Sequence, residues 1–251
     1  MKHFTTSIIA LSLPLAFIGN AGAQTLWSKN SFSYLKNTSD FEVLTNDTVN
    51  VFTFEHASGH NWGDLFMFAD RTLAKADNDN VEFKGTYGEV SPRLSLSYLL
   101  DQPVALSFIQ DTFLAANIEH SSNTFGSFDN VLLGIGTNLA IPHFKFVQAN
   151  VYYANNDNTD NDYQLTMVWG YDFPSLDHKI TFNGFFDWSS AADDHKAEFH
   201  FNPQLLVDVG HYFENSDHVQ VGIEYSFWHN KYGISGLDNE SVVSAMIKLT
   251  L

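Results

Sequence analysis

Eleven histidines and 29 acidic side chains in 251 residues are the material for a metal site or an acid–base pair. His56 and His60 have the spacing of a helical zinc pair. The intervening Ala57-Ser58-Gly59 reads as a turn, however, and the glutamate of the helical zinc motif is missing. The acidic stretches 155–162 and 191–195 offer oxygen ligands without the regular spacing of a calcium loop. His120 adjoins Ser121 and Ser122, but successive strand side chains point apart, so no nucleophile–base pair forms there. Cysteine is absent, which removes thiol catalysis and zinc–cysteine sites. No phosphate-cradling glycine motif occurs, and a net charge of −17 argues against nucleic acid as a partner. These residues predict no enzyme, no metal and no cofactor.

The chemistry that remains is recognition. In "NWGDLFMFADR", Asn61 to Arg71, alternation puts Leu65, Met67 and Ala69 on one face and Asp64, Phe66, Phe68 and Asp70 on the other. Phenylalanines set among carboxylates offer stacking faces beside hydrogen-bonding groups, a surface suited to flat, partly polar solutes such as nucleobases. The bland alternative is that Phe66 and Phe68 only pack against neighbours. Parity extends the charged face to Lys84, Glu89 and Arg93; to Asn150, Tyr152 and Gln164; to Asn183, Phe185 and Asp187; to Gln204 and Asp208; and to Glu224, Trp228 and Lys248. The candidate substrate-binding set is Asp64, Phe66, Phe68, Asp70, Arg93, Asp187, Glu224 and Lys248.

Strands must position these residues. Period-two alternation dominates, as in Val219, Val221, Ile223, Tyr225 and Phe227 against Gln220, Gly222, Glu224, Ser226 and Trp228. About twelve strands are predicted: 26–35, 48–58, 62–73, 81–99, 103–119, 129–141, 144–155, 162–173, 178–189, 197–213, 217–230 and 241–251. Turn signals fall at 75–80, 155–162, 191–195, 214–217 and 236–240, with shorter breaks near 101–103, Pro142 and 174–177. Long breaks alternate with short ones, as in a barrel with long outer loops and tight periplasmic turns. Pro92 and Pro203 fall inside candidate strands and predict a bulge or a strand end.

The first 23 residues have a basic start at Lys2, an apolar run from Ile8 to Ile18 and small residues at Ala21 and Ala23. They predict a secretory signal peptide cleaved after Ala23, leaving one domain over 24–251. Alternation alone also fits a soluble sandwich. Export, an even strand count and a C-terminal strand with Val243, Ala245, Ile247, Leu249 and Leu251 on one face favour an all-β, transmembrane, antiparallel up-and-down barrel. Aromatics such as Tyr98, Tyr153, Tyr171, Trp188 and Tyr225 lie near the ends of the apolar faces, where membrane girdles stand. Charge is costly at mid-bilayer, so the face with Asp64 and Asp70 becomes the lumen and Leu65 and Met67 meet lipid.

Four stretches, "SFSYLKNTSDF", "FTFEHASGHNWGDLFMFADR", "GEVSPRLSLSYLL" and "FDNVLLGIGTNL", occur in that order and resemble the nucleoside-specific channel family of outer-membrane proteins, which includes Tsx-like channels and phage-receptor porins. The resemblance implies a monomeric twelve-stranded barrel with a narrow pore. Nucleosides would diffuse through it past weak aromatic and ionisable sites. It carries pore-lining roles to Asp64, Phe66, Phe68 and Asp70. The partners it implies are a small solute, outer-membrane lipid and lipopolysaccharide, with a phage as a possible ligand of the outer loops. The alternative is a receptor barrel with a closed lumen.

Overall fold

The computed structural model describes residues 23–37, 48–75, 82–173, 179–214 and 218–251. The predicted signal sequence and the turn signals at 75–80, 174–177 and 214–217 lie wholly or mostly outside them. Twelve strands follow in order: β1 Thr25–Asn37, β2 Thr48–His60, β3 Gly63–Lys75, β4 Glu82–Ser95, β5 Ile109–Asn123, β6 Gly126–Leu139, β7 Phe146–Asn155, β8 Asp162–Asp172, β9 Ile180–Ser189, β10 Glu198–Asp208, β11 Val219–His229 and β12 Glu240–Thr250. Each pairs antiparallel with its sequence neighbours, and β12 returns to β1 to close the barrel, with Ser31 opposite Thr250 and Asn37 opposite Ser244.

The period of two in the sequence becomes inside and outside. On β5, Phe113, Ala115, Asn117, Glu119 and Ser121 are buried, while Leu114 is 46% and Ile118 49% exposed. On β6 and β7, Leu133, Ile135 and Val151 stand out at 50–60%. A continuous belt of bare aliphatic and aromatic side chains would drive association in water. Against hydrocarbon it matches its solvent, which is why the strands put their polar residues inward. Closure gives every strand a partner on both sides, as a lipid environment requires.

The local differences from the sequence pattern have specific causes. The stretch 81–99 does not run as one strand: β4 ends at Ser95, and Leu96–Leu100 form a short helix, α1. Ser95 caps it by accepting from the Tyr98 backbone N–H at 3.1 Å, and Asp101 ends it in the left-handed region at φ 50°. Tyr98 therefore sits on a turn of helix, not at a strand end. β5 begins at Ile109, well after 103, and β10 gives way to a 3-10 turn at Gly210–Phe213. Neither proline breaks register. Pro92 pairs with Leu65, and Pro203 faces Gly184, whose missing side chain leaves room: a Cβ there would lie 2.8 Å from the Pro203 Cα. The bulges instead fall at Thr25/Trp27 and Ile109/Asp111.

Loop lengths also depart from strict alternation. The connection 96–108 is long at the end where β1 begins and β12 finishes, which is the periplasmic end in this architecture, and 124–125 is tight at the outer end. The lumen is not uniformly polar. Leu35, Leu206 and Met246 form one buried cluster against Val51, and Ala115, Leu132, Tyr152 and Ala154 form another. Each cluster joins side chains of nearby strands along one side of the barrel.

Candidate functional site

The candidate site is the lumen, and strand register fixes its layout. One rung perpendicular to the strands joins Glu55, Phe68, Glu89, Glu119 and Asn130 across β2 to β6. A second joins Asn150, Thr166, Asp187, His200, Trp228 and Glu240 across β7 to β12. Because side chains on one rung share a face, these two rungs line much of the passage with carboxylates and rings.

Toward the periplasmic mouth, Arg93 is the organising cation. It is 3% exposed, and its Nε and Nη2 donate to the two oxygens of Asp64 at 2.8 and 2.5 Å. Nη2 also donates to Asn138 Oδ1 at 2.8 Å, and Nη1 reaches Asn150 Oδ1 at 3.4 Å. The guanidinium lies 4.4 Å from the centre of the Phe113 ring. A fork with several donors can bridge β3, β6 and β7 at once, and a lysine in its place could not. Lys248 donates to Glu55, which also accepts from Ser31 Oγ at 2.8 Å. Asp64, with His60, Asn61, Asp111 and Asn138, lines a vestibule at this end.

The middle of the lumen is acidic. Tyr87 Oη donates to Glu89 at 2.6 Å and Asn117 Nδ2 donates to the same carboxylate at 2.9 Å. Asn130 donates to Glu119 at 3.0 Å, Thr166 to Asp187 at 2.5 Å and Gln204 to Glu224 at 2.8 Å. Glu89, Glu119 and Asp187 lie within electrostatic reach of one another across the barrel. Phe66 and Phe68 share the inward face of β3 at a centroid separation of 6.0 Å, and Phe68 continues to Tyr87 at 5.7 Å. Phe66 is 38% exposed although it points inward, so its ring borders open lumen. That is more than packing alone requires.

Near the outer end the rings close in. His200 stacks on Trp228 at 4.0 Å and 5°, with Phe185 edge-on to His200 at 5.2 Å. A tight turn at Lys231–Gly233 lays Lys231 Nζ 4.6 Å from the Trp228 ring and 5.4 Å from Tyr232. The ammonium donates to Glu240 at 2.6 Å, with both side chains buried. Trp228 Nε1 and the Gly233 N–H both donate to Glu198.

All eight candidate residues project into the lumen, and the structure joins Asp64 to Arg93 directly. Lys84 does not belong with them. It faces Leu73 on the outward side near the outer rim, because its parity on β4 is opposite to that of Glu89 and no bulge intervenes. The lumenal roles of Glu119, Asn117 and Glu240 follow from the same alternation on β5 and β12 and were open to it. Those of Lys231 and Tyr232 depend on a loop folding inward, which no period reveals.

Residues 30–245 match the family model described as "Nucleoside-specific channel-forming protein, Tsx". The chain belongs to this family. The outer membrane protein OmpK of Vibrio parahaemolyticus is 25% identical over 186 residues, covering 70% of this chain and 68% of that one. Among solved structures, a KdgM porin in complex with disordered oligogalacturonate superposes with a TM-score of 0.51 at 10% identity, over 87% of this chain and 98% of that one. Family and fold together make the protein an outer-membrane channel, in a family of channels and not of enzymes.

Proposed function

We propose that the channel passes nucleosides by passive diffusion, with Phe66 and Phe68 as stacking faces and Asp64, Asp70, Arg93, Asp187, Glu224 and Lys248 as hydrogen-bonding partners along the way. The observation that carries this is the exposed lumenal ring of Phe66, set on one strand face between Asp64 and Asp70. A base stacks on the ring while carboxylates accept from its exocyclic amines and the ribose hydroxyls. Stacking of this kind contributes about 1–3 kcal/mol per base, enough to retain a solute briefly without trapping it. The acid-lined lumen has the wrong sign for an anionic saccharide such as the one bound in the KdgM structure.

The test is single-channel recording in planar bilayers with adenosine or thymidine added. Nucleosides should reduce the current reversibly. Phe66→Ala should weaken that block by about 5- to 150-fold, the equivalent of that stacking energy. An open channel that no nucleoside blocks removes the solute assignment and leaves the barrel a channel for something else.

A further inference from the structure

We propose that the lumen selects cationic over anionic solutes, and that Lys231 is a tethered occupant of its outermost cation station. The inference rests on the chain conducting, as the proposed function does, but not on nucleosides being the solute.

Two independent observations carry it. The first is what Lys231 does. Its ammonium stands over the faces of Trp228 and Tyr232 and is bound by Glu240, an arrangement that recognises a primary ammonium through cation–π attraction and one buried carboxylate. Trp228 and Glu240 stand on β11 and β12, while Tyr232 and the ammonium itself come from the turn at Lys231–Gly233.

The second lies deeper in the passage. Asn202 is 7% exposed, and its carbonyl oxygen has no donor among the described residues; the same is true of Asp70 Oδ1, also buried. The Asn202 amide and Gln204 both donate to Glu224, and Thr53 donates to Asp70, so these three donors are already used. Asp70 and Glu224 interact across the lumen, with Glu55 and Glu89 beside them. The carbonyl of Asn202 and the carboxylate of Asp70 are pure acceptors, and with the Ser33 hydroxyl, also buried without a partner among the described residues, they lie in a region where carboxylates outweigh cations. A buried acceptor without a donor is costly to leave dry, and a passing cation or ammonium is the species that supplies what is missing. Carboxylate-lined constrictions select cations by the same logic.

The path is therefore a run of stations from Glu240 past Asp187 to Asp70 and Glu224. It ends at Lys248 and Arg93, each held by its own carboxylate. An anion meets repulsion along that run, whereas an organic amine finds a station equivalent to the one Lys231 fills.

The experiment measures reversal potential under a potassium chloride gradient on the intact, reconstituted channel. The expected sign is that of a potassium-preferring pore, moving toward zero in Asp70→Asn with Glu224→Gln. In Lys231→Ala the vacated station should admit methylammonium, seen as a reversible block several-fold stronger than in the parent. Because Lys231→Ala takes the ammonium away from buried Glu240, Lys231→Arg serves as its folded control: it should keep the parent's weak response to methylammonium. A channel that conducts but prefers chloride, or whose preference survives neutralising Asp70 and Glu224, overturns the inference. A folded barrel that conducts no salt overturns the channel reading as well.

Discussion

Arg93→Ala perturbs the most heavily connected side chain in the lumen. The parent guanidinium is 3% exposed and gives Asp64 two hydrogen bonds, with further bonds to Asn138 and Asn150. Removing one member of a buried pair costs about 3–5 kcal/mol, because the remaining charge has lost its compensation. Asp64 retains 22% exposure and borders the periplasmic vestibule, where water can reach it, so the low end applies: about 3 kcal/mol. The assay is urea unfolding in detergent micelles followed by tryptophan fluorescence, in which the midpoint should fall with the slope unchanged. The double variant Arg93→Ala with Asp64→Asn leaves no orphan carboxylate and should recover roughly half or more of the loss. Conductance should rise in both, since a side chain bridging three strands across the passage has gone. If the single variant unfolds within about 1 kcal/mol of the parent, or the double variant is no better, Arg93 is a solvated side chain and its role as a brace is wrong.

Two further outcomes test separate parts of the molecule. Leu206, fully buried with Leu35 and Met246, should cost about 2–5 kcal/mol when cut to alanine; a urea midpoint unchanged from the parent would mean that this cluster does not tie β10 to β12 and β1. His195 clasps the outer loops through Asp162 at 3.1 Å and Asp194 at 2.7 Å. Burial works against its imidazolium, but the hydrogen bond to Asp194 and the charge of Asp162 outweigh it, so its pKa lies above the ordinary 6.5. A raised folded pKa means that the clasp is complete below pH 6.5 and is lost as pH rises through the raised value. Limited proteolysis at 190–197 should be slow in mild acid, where His195 is protonated and its carboxylate partners are still ionised, and fast in alkali, and His195→Asn should abolish the step; equal rates under the two conditions would show that the clasp holds nothing.

What the sequence made legible follows from what lipid demands. A two-residue period cannot be concealed when one face must be bare hydrocarbon, so all twelve strands were visible. The inward set Asp64, Phe66, Phe68 and Asp70 followed from parity and the cost of charge in a bilayer. Ends were harder to see. "LSYLL" alternates well enough to pass for strand, and only the Ser95 hydroxyl turning back on Tyr98 makes it helical. Pro92 and Pro203 looked like breaks because a proline removes one hydrogen bond, yet strands flanked on both sides kept their register around them. Lys231 was beyond reach because its place beside Trp228 and Glu240 comes from the turn between β11 and β12 folding inward, which leaves no periodic trace.

The seam between β1 and β12 has a consequence for how the molecule is made. β1 and β12, the outermost strands in chain order, are partners, Asn37 opposite Ser244, so the cylinder cannot seal until β12 has been delivered. Until then the growing sheet has two sticky borders and a greasy exterior, the combination most prone to clumping. Such a polypeptide must be escorted across the periplasm and zipped shut at the bilayer itself. Losing β12 would therefore abolish closure itself, because β1 and β11 would each be left without the partner they share.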